Sequence, residues 1–215
     1  MEDYSNLINR CKDNEEEAII KGAAMGAVIL SRMGPIYQKG AVSIFQNLAV
    51  QYAGRLKEIN TIEEFDKFHE EFIESVHASI KNNEGNSLSY GEAQKSINVF
   101  LKTYVDRGNH PDIETAKRLK PFLHVPLDSV MINHFRKNFK LGYAEYIAPY
   151  HNKINQEIKE RNPTFTGKIP DATLSKLIYI FQDVYLAWQT WFRDIYPDKP
   201  ILLDTIWALE REKDG

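Results

Sequence analysis

The stretch TIEEFDKFHEEFIESVHASI, residues 61–80, constrains this chain more than any other. Phe65, Phe68, Phe72, Ile73, Val76 and Ile80 recur mostly at steps of three and four. That spacing puts them on one face of a helix but scatters them over both faces of a strand. Thr61 stands three residues before Glu64, the pattern of a capping box, so the helix begins there. An apolar stripe of this length has to be buried against other elements.

The rest of the chain reads the same way. EEEAIIKGAAMGAVILSRM (15–33) has acid in its first turn and Arg32 in its last, as the helix dipole favours. Gly34 and Pro35 break it, and Pro35 suits the first turn of a helix running to Ile59. A polar glycine turn, NEGNSL (83–88), precedes a second capping box, Ser89 to Glu92. The helix it opens carries Ile97, Phe100, Leu101 and Tyr104 on one side, and DRGNHPD (106–112) ends it. A short helix around ETAKRLKPFL (114–123) leads to HVPLD, and SVMINHFRKNF (129–139) is a helix with Asp128 as N-cap. RNPTFTGKIPD (161–171) reads as a loop. ATLSKLIYIFQDVYLAWQTWFRDIY (172–196) reads as one long aromatic helix, and KPILLDTIWALEREK (199–213) as helical after Pro200. No segment joins strict alternation to hairpin turn chemistry, so the expected fold is all-α. At 215 residues, residues 1–215 form one compact helical domain with room for two small lobes.

Composition narrows the function classes. The longest apolar run, Ala23–Leu30, is too short to cross a bilayer, and KDNEEE before it has the wrong charge for a secretory leader. A cytoplasmic location follows as the expectation. One cysteine, Cys11, excludes an internal disulfide and a cysteine zinc site. The six histidines form no HExxH or H-x3-H pair, so no metal site is expected. No GxGxxG or GxxxxGK[ST] loop is present, and no cofactor is expected. The net charge of −3 disfavours a general nucleic-acid binder, but residues 81–140 hold 10 basic and 6 acidic side chains. A local positive face can guide DNA on an acidic molecule.

That basic segment contains a helix, a hairpin and a helix over about 61–107, with Lys95 one turn inside the second helix. Gly85, Gly91 and the amides at that helix N-terminus are suited to gripping a phosphate. Asp128 follows 33 positions after Lys95, behind Pro126, and opens another helix. Taken singly, Lys95 is an ordinary solvent-facing lysine and Asp128 a plain N-cap. Taken together they are an amine and a carboxylate at helix starts.

In these residues the chain resembles the helix-hairpin-helix superfamily of DNA glycosylases, in which such an element precedes a P-[VIL]-D-[ST]-x-[VIM]-like segment; here that segment is VPLDSVM. The Lys95-to-Asp128 separation looks most like the archaeal 8-oxoguanine glycosylases, with Lys95, Phe100 and Lys102 approximating their lysine helix. The similarity covers about residues 75–135. The hairpin departs from L-P-G-[VI]-G, keeping one glycine in NSLSYGEAQK, and a chain with one cysteine holds no four-cysteine iron–sulfur cluster.

The resemblance implies base flipping from double-stranded DNA that holds a modified or damaged base, with the protein acting as a monomer and without a membrane. Asp128 would stabilise positive charge on the sugar, and Lys95 would attack the sugar carbon or only hold phosphate. Ser89, Tyr90, Gly91, Gln94 and Lys102 would contact DNA. Asp183, Trp188 and Gln189 would line the base pocket, although an aromatic series such as Tyr185, Trp188, Trp191, Phe192 and Tyr196 equally describes a core. The base would be 8-oxoguanine, or a hypermodified cytosine of phage DNA, since small bacterial glycosylases of this type act in phage defence. Two other readings stand beside this one: a non-catalytic helical nucleic-acid-binding module, and a helical protein-interaction domain.

Overall fold

The computed structural model describes residues 4–161, 176–206 and 209. The chain is all-α. Among the described residues the only β-type pairing is two isolated bridges, Tyr37 with Asn82 and Lys81 with Ser87. The helices are α1 (Ser5–Asp13), α2 (Glu15–Leu30), α3 (Ala41–Ala53), α4 (Ile62–Ser79), α5 (Tyr90–Leu101), α6 (Ile113–Leu119) and α7 (Ser129–Asn138). A single turn α8 (Lys140–Gly142), α9 (His151–Arg161) and α10 (Gln182–Ile195) follow. No described helix is long and apolar enough to cross a membrane.

Both capping boxes form. Thr61 accepts from the Glu64 amide while Glu64 reaches back to the Thr61 amide, and Ser89 and Glu92 repeat the exchange. The stripe on α4 is buried along its length and packs with α3 and α5. Phe72 of α4 lies 6.0 Å from Phe45 and 4.2 Å from Tyr52, both on α3, and 6.4 Å from Phe100 of α5 between ring centres, so one large aromatic group anchors three helices. Truncating a ring of this kind to alanine typically costs 3–5 kcal/mol.

The buried side chains form two cores. The first runs from Ile20 to Leu123 with Ile201 added, and the second from Val125 to Phe192 around Phe135, Trp188 and Trp191. His124 is the single residue between them in the chain, and Tyr90 and Leu177 pack against both.

Three expectations change. Residues 35–40 are not helical: Gln38 N–H donates to the Lys81 carbonyl and Asn83 N–H to the Ile36 carbonyl, so this segment pairs with the hairpin. Helix α3 then starts at Ala41 behind Gly40, whose φ of 88° suits glycine. The long helix expected over 172–196 is divided: a 3-10 turn at Leu177–Tyr179 is followed by extended Ile180 and Phe181 before α10 begins. Residues 172–175 of that expected helix, residues 162–171 of the expected loop before it, and residues 207, 208 and 210–213 of the last segment lie outside the described residues. Helices α8 and α9, with the π turn Tyr143–Ile147 between them, occupy a stretch with no expected element.

Candidate active site at the junction of the two cores

Helix α5 decides the geometry. From Gly91 to Leu101 every residue except Lys95 is buried. A helix enclosed on all sides has no solvated face on which to place an ordinary lysine. Lys95 instead projects into a cleft of about 690 Å³, and Glu92, Val99 and Lys102 line the same wall. Those four positions are three, four and three residues apart, which is one helical face.

Asp128 enters from the opposite side. The irregular stretch Leu123–Asp128 leads to it, and Asp128 itself is extended at φ −145°, ψ 175°. Its Oδ1 accepts the Met131 amide at 3.0 Å, the N-cap bond that starts α7. Its Oδ2 lies 3.5 Å from Lys95 Nζ. The side chains are 15% and 25% exposed, so the pair is sheltered but open to the cleft. Asp128 is thus both a cap and the partner of Lys95.

Lys102 lies deeper and forms a short ion pair with Asp204, both nearly enclosed. Burial pushes the Asp204 carboxyl up to about 6, against the opposing pull of Lys102; the Asp128 charge adds to the rise and Lys95 opposes it. The Lys95–Asp128 and Lys102–Asp204 pairs therefore share one cleft, which Glu92 also lines. Its rim carries Arg32, Arg107 and Lys176, all exposed. Asp204 was not singled out by sequence, because nothing local links it to a lysine 102 positions earlier.

The remaining candidates fall elsewhere. Ser89 and Glu92 satisfy each other's backbone amides at the start of α5. The Leu177–Ile180 segment closes over that end, and a β-carbon on Gly91 would lie 2.1 Å from the Leu177 carbonyl oxygen. Asn82 Oδ1 likewise takes the Glu84 and Asn86 amides at the hairpin tip. The Ser89, Glu92, Glu84 and Asn86 amides therefore have protein partners. Ser89 and Tyr90 are half-buried, with Tyr90 5.3 Å from Tyr185, and Gln94 is fully buried; they pack inward rather than facing solvent. Trp188 and Gln189 are buried in and beside the second core, and Asp183 forms a surface ion pair with Lys153. None of these three lines the cleft. Tyr185, Trp188, Trp191 and Phe192 of the aromatic series are buried, the last three packed around Phe135 of α7, and Tyr196 is exposed.

Behind the cleft lies a buried polar chain that sequence did not disclose. His69 Nε2 donates to Asn98 Oδ1 (2.6 Å), Asn98 donates to Tyr185 Oη (2.8 Å), and Tyr185 donates to His124 Nδ1 (2.8 Å). His124 Nε2 donates to Asp66 (2.8 Å), which also receives both arms of Arg193. His124 Nε2 also lies 2.8 Å from Arg193 Nη2, which can only donate, so these donor roles are those of the His124 tautomer protonated at Nε2. Burial drives His69 well below the ordinary histidine range and His124 down to about 4, so both are neutral at pH 7. The chain pins His124, and with it the segment that delivers Asp128.

No family model, no curated protein and no solved structure matches this chain, so the functional reading rests on the site geometry and on the motif resemblance of VPLDSVM and Lys95.

Proposed function

We propose that the chain is a DNA glycosylase that flips a damaged or modified base from duplex DNA into the cleft and cleaves its N-glycosidic bond. The observation that carries this reading is the Lys95–Asp128 pair, 3.5 Å apart and open to a cleft of about 690 Å³. The cleft has room for a nucleobase and its sugar, and its rim has cations for the flanking phosphates.

In this reading Asp128 faces the sugar and stabilises the positive charge that develops as the base departs. Its second oxygen, fixed on the Met131 amide, keeps the carboxylate oriented without further ordering. Lys95 either attacks the sugar carbon as a free amine, giving a Schiff base and strand cleavage, or holds the phosphate while water attacks. Lys102 and Asp204 present a donor beside an acceptor deeper in the cleft, where the hydrogen-bonding edge of an extruded base would sit. Arg32, Arg107 and Lys176 at the rim supply phosphate contacts. The substrate classes are those of the resemblance: an 8-oxoguanine-like purine, or a hypermodified cytosine of phage DNA.

The testing experiment is borohydride trapping with duplexes containing candidate bases. A covalent protein–DNA adduct that disappears in Lys95→Ala supports an amine nucleophile. Base release without an adduct assigns the attack to water. Binding without either product favours a non-catalytic DNA-binding module.

A further inference from the structure

Among the described residues no strand lies beside the Val125–Leu127 segment that delivers Asp128; two buried glutamines take its backbone groups instead. Gln189 accepts the Val125 N–H at 2.8 Å and donates to the Val125 carbonyl at 2.9 Å. Gln94 donates to the Leu127 carbonyl at 3.0 Å and accepts the Leu127 N–H at 3.3 Å. Pro126 between them has no N–H to satisfy. Residues two apart on an extended segment point their polar groups the same way. The two carboxamides therefore stand where the peptide groups of an adjacent strand would stand.

Satisfying a buried backbone group does not require any particular helix to do it. Gln94, however, is the chain neighbour of Lys95, and Leu127 is the chain neighbour of Asp128. One two-bond clamp thus ties the residue beside the amine to the residue beside the carboxylate. Asn98, one turn along α5, donates to Gln94 Oε1 at 2.8 Å and fixes which way that carboxamide faces. Gln94 and Gln189 are 0% and 1% exposed, which leaves neither free to meet a ligand.

We propose that Gln94 and Gln189 are positioning residues: together they replace a β-strand and set the separation of Lys95 from Asp128, Gln94 directly and Gln189 by holding the approach. The clamp is a statement about position, and its catalytic consequence rests on the glycosylase reading above.

The test uses the full chain with Gln94→Met and Gln189→Met, which keep length and volume and remove both hydrogen bonds. Amide exchange at Leu127 and Met131 is expected to accelerate tenfold or more in Gln94→Met, and at Val125 in Gln189→Met, while Phe72 and Phe100 keep their protection. Single-turnover base release is expected to fall tenfold or more with duplex affinity within threefold of wild type, a split that a general loss of folding does not produce. Unchanged exchange at those amides, or excision per folded molecule within threefold of wild type, overturns the clamp. Where a methionine variant does not fold, Gln94→Glu keeps the acceptor for Leu127 N–H and loses the donor, and the same tenfold and threefold criteria apply. A wild-type protein that releases no base sinks the glycosylase reading instead, and the exchange measurement then decides the clamp alone.

Discussion

Lys95 Nζ stands 3.5 Å from Asp128 Oδ2 while Asp128 Oδ1 holds the first amide bond of α7 at 3.0 Å from Met131. One carboxylate thus serves the fold with one oxygen and the cleft with the other. The two roles separate on substitution. Asparagine caps a helix about as well as aspartate, whereas alanine loses about 1 kcal/mol. Asp128→Asn should unfold at nearly the wild-type urea midpoint, and Asp128→Ala about 1 kcal/mol earlier. Equal loss of stability in both variants would contradict the cap.

Gly91 is required for a close approach rather than for its backbone angle. A β-carbon there would lie 2.1 Å from the Leu177 carbonyl oxygen and 2.9 Å from Ile180 Cβ. Overpacking of this kind typically costs 1–3 kcal/mol. Gly91→Ala should lose about 2 kcal/mol or displace the Leu177–Ile180 segment, seen as faster amide exchange at Ile180. A fully stable variant with unchanged exchange would show that the segment does not seat on α5.

Acid should destabilise the protein well above the carboxylate range. Burial disfavours the charged form of His124 and lowers it from 6.5 to about 4 in the folded protein, and His69 is shifted the same way. A histidine with a depressed folded pKa contributes stability above its unfolded pKa and loses it as pH falls toward the folded one. Between pH 6.5 and pH 4 each such group adds a slope of up to about 1.4 kcal/mol per pH unit. Asp204, whose folded carboxyl is raised to about 6, works the other way below that pH, so urea midpoints should fall on balance over the window, and less in His124→Gln. A flat profile would mean that water reaches these rings.

The rim cations should contribute affinity without discrimination. Removing one phosphate contact lowers the slope of log affinity against log salt by about 1. Arg32→Ala and Lys176→Ala should each weaken duplex binding, reduce that slope and leave the preferred base unchanged. Ser89→Ala, at the covered end of α5, should change neither. The opposite pattern would return the DNA contact to the hairpin.

Much of this arrangement is legible in local patterns, and the remainder depends on contacts between distant positions. The boxes at Thr61 and Ser89 and the cap at Asp128 are readable because helix termini are satisfied within three residues. The seven-residue step from Lys95 to Lys102 shows that they share a face, though not that the face is a cleft wall. The break at Ile180 and Phe181 is not readable: helical periodicity continues through it, and Ser89, against which Leu177 seats, is 88 positions earlier. Gln94 and Gln189 look like a phosphate contact and a base reader because a glutamine carries no mark of the backbone group it will meet. Asp204 is silent for the same reason, since burial beside Lys102 sets its role.

The most direct test of the account is to incubate the protein with duplex DNAs carrying different base modifications and to identify any released base by mass spectrometry. The account predicts that wild-type protein frees one class of modified base and that Asp128→Asn, folded and binding the same duplex, frees none. No released base from any of these DNAs, or equal release by Asp128→Asn, would contradict it.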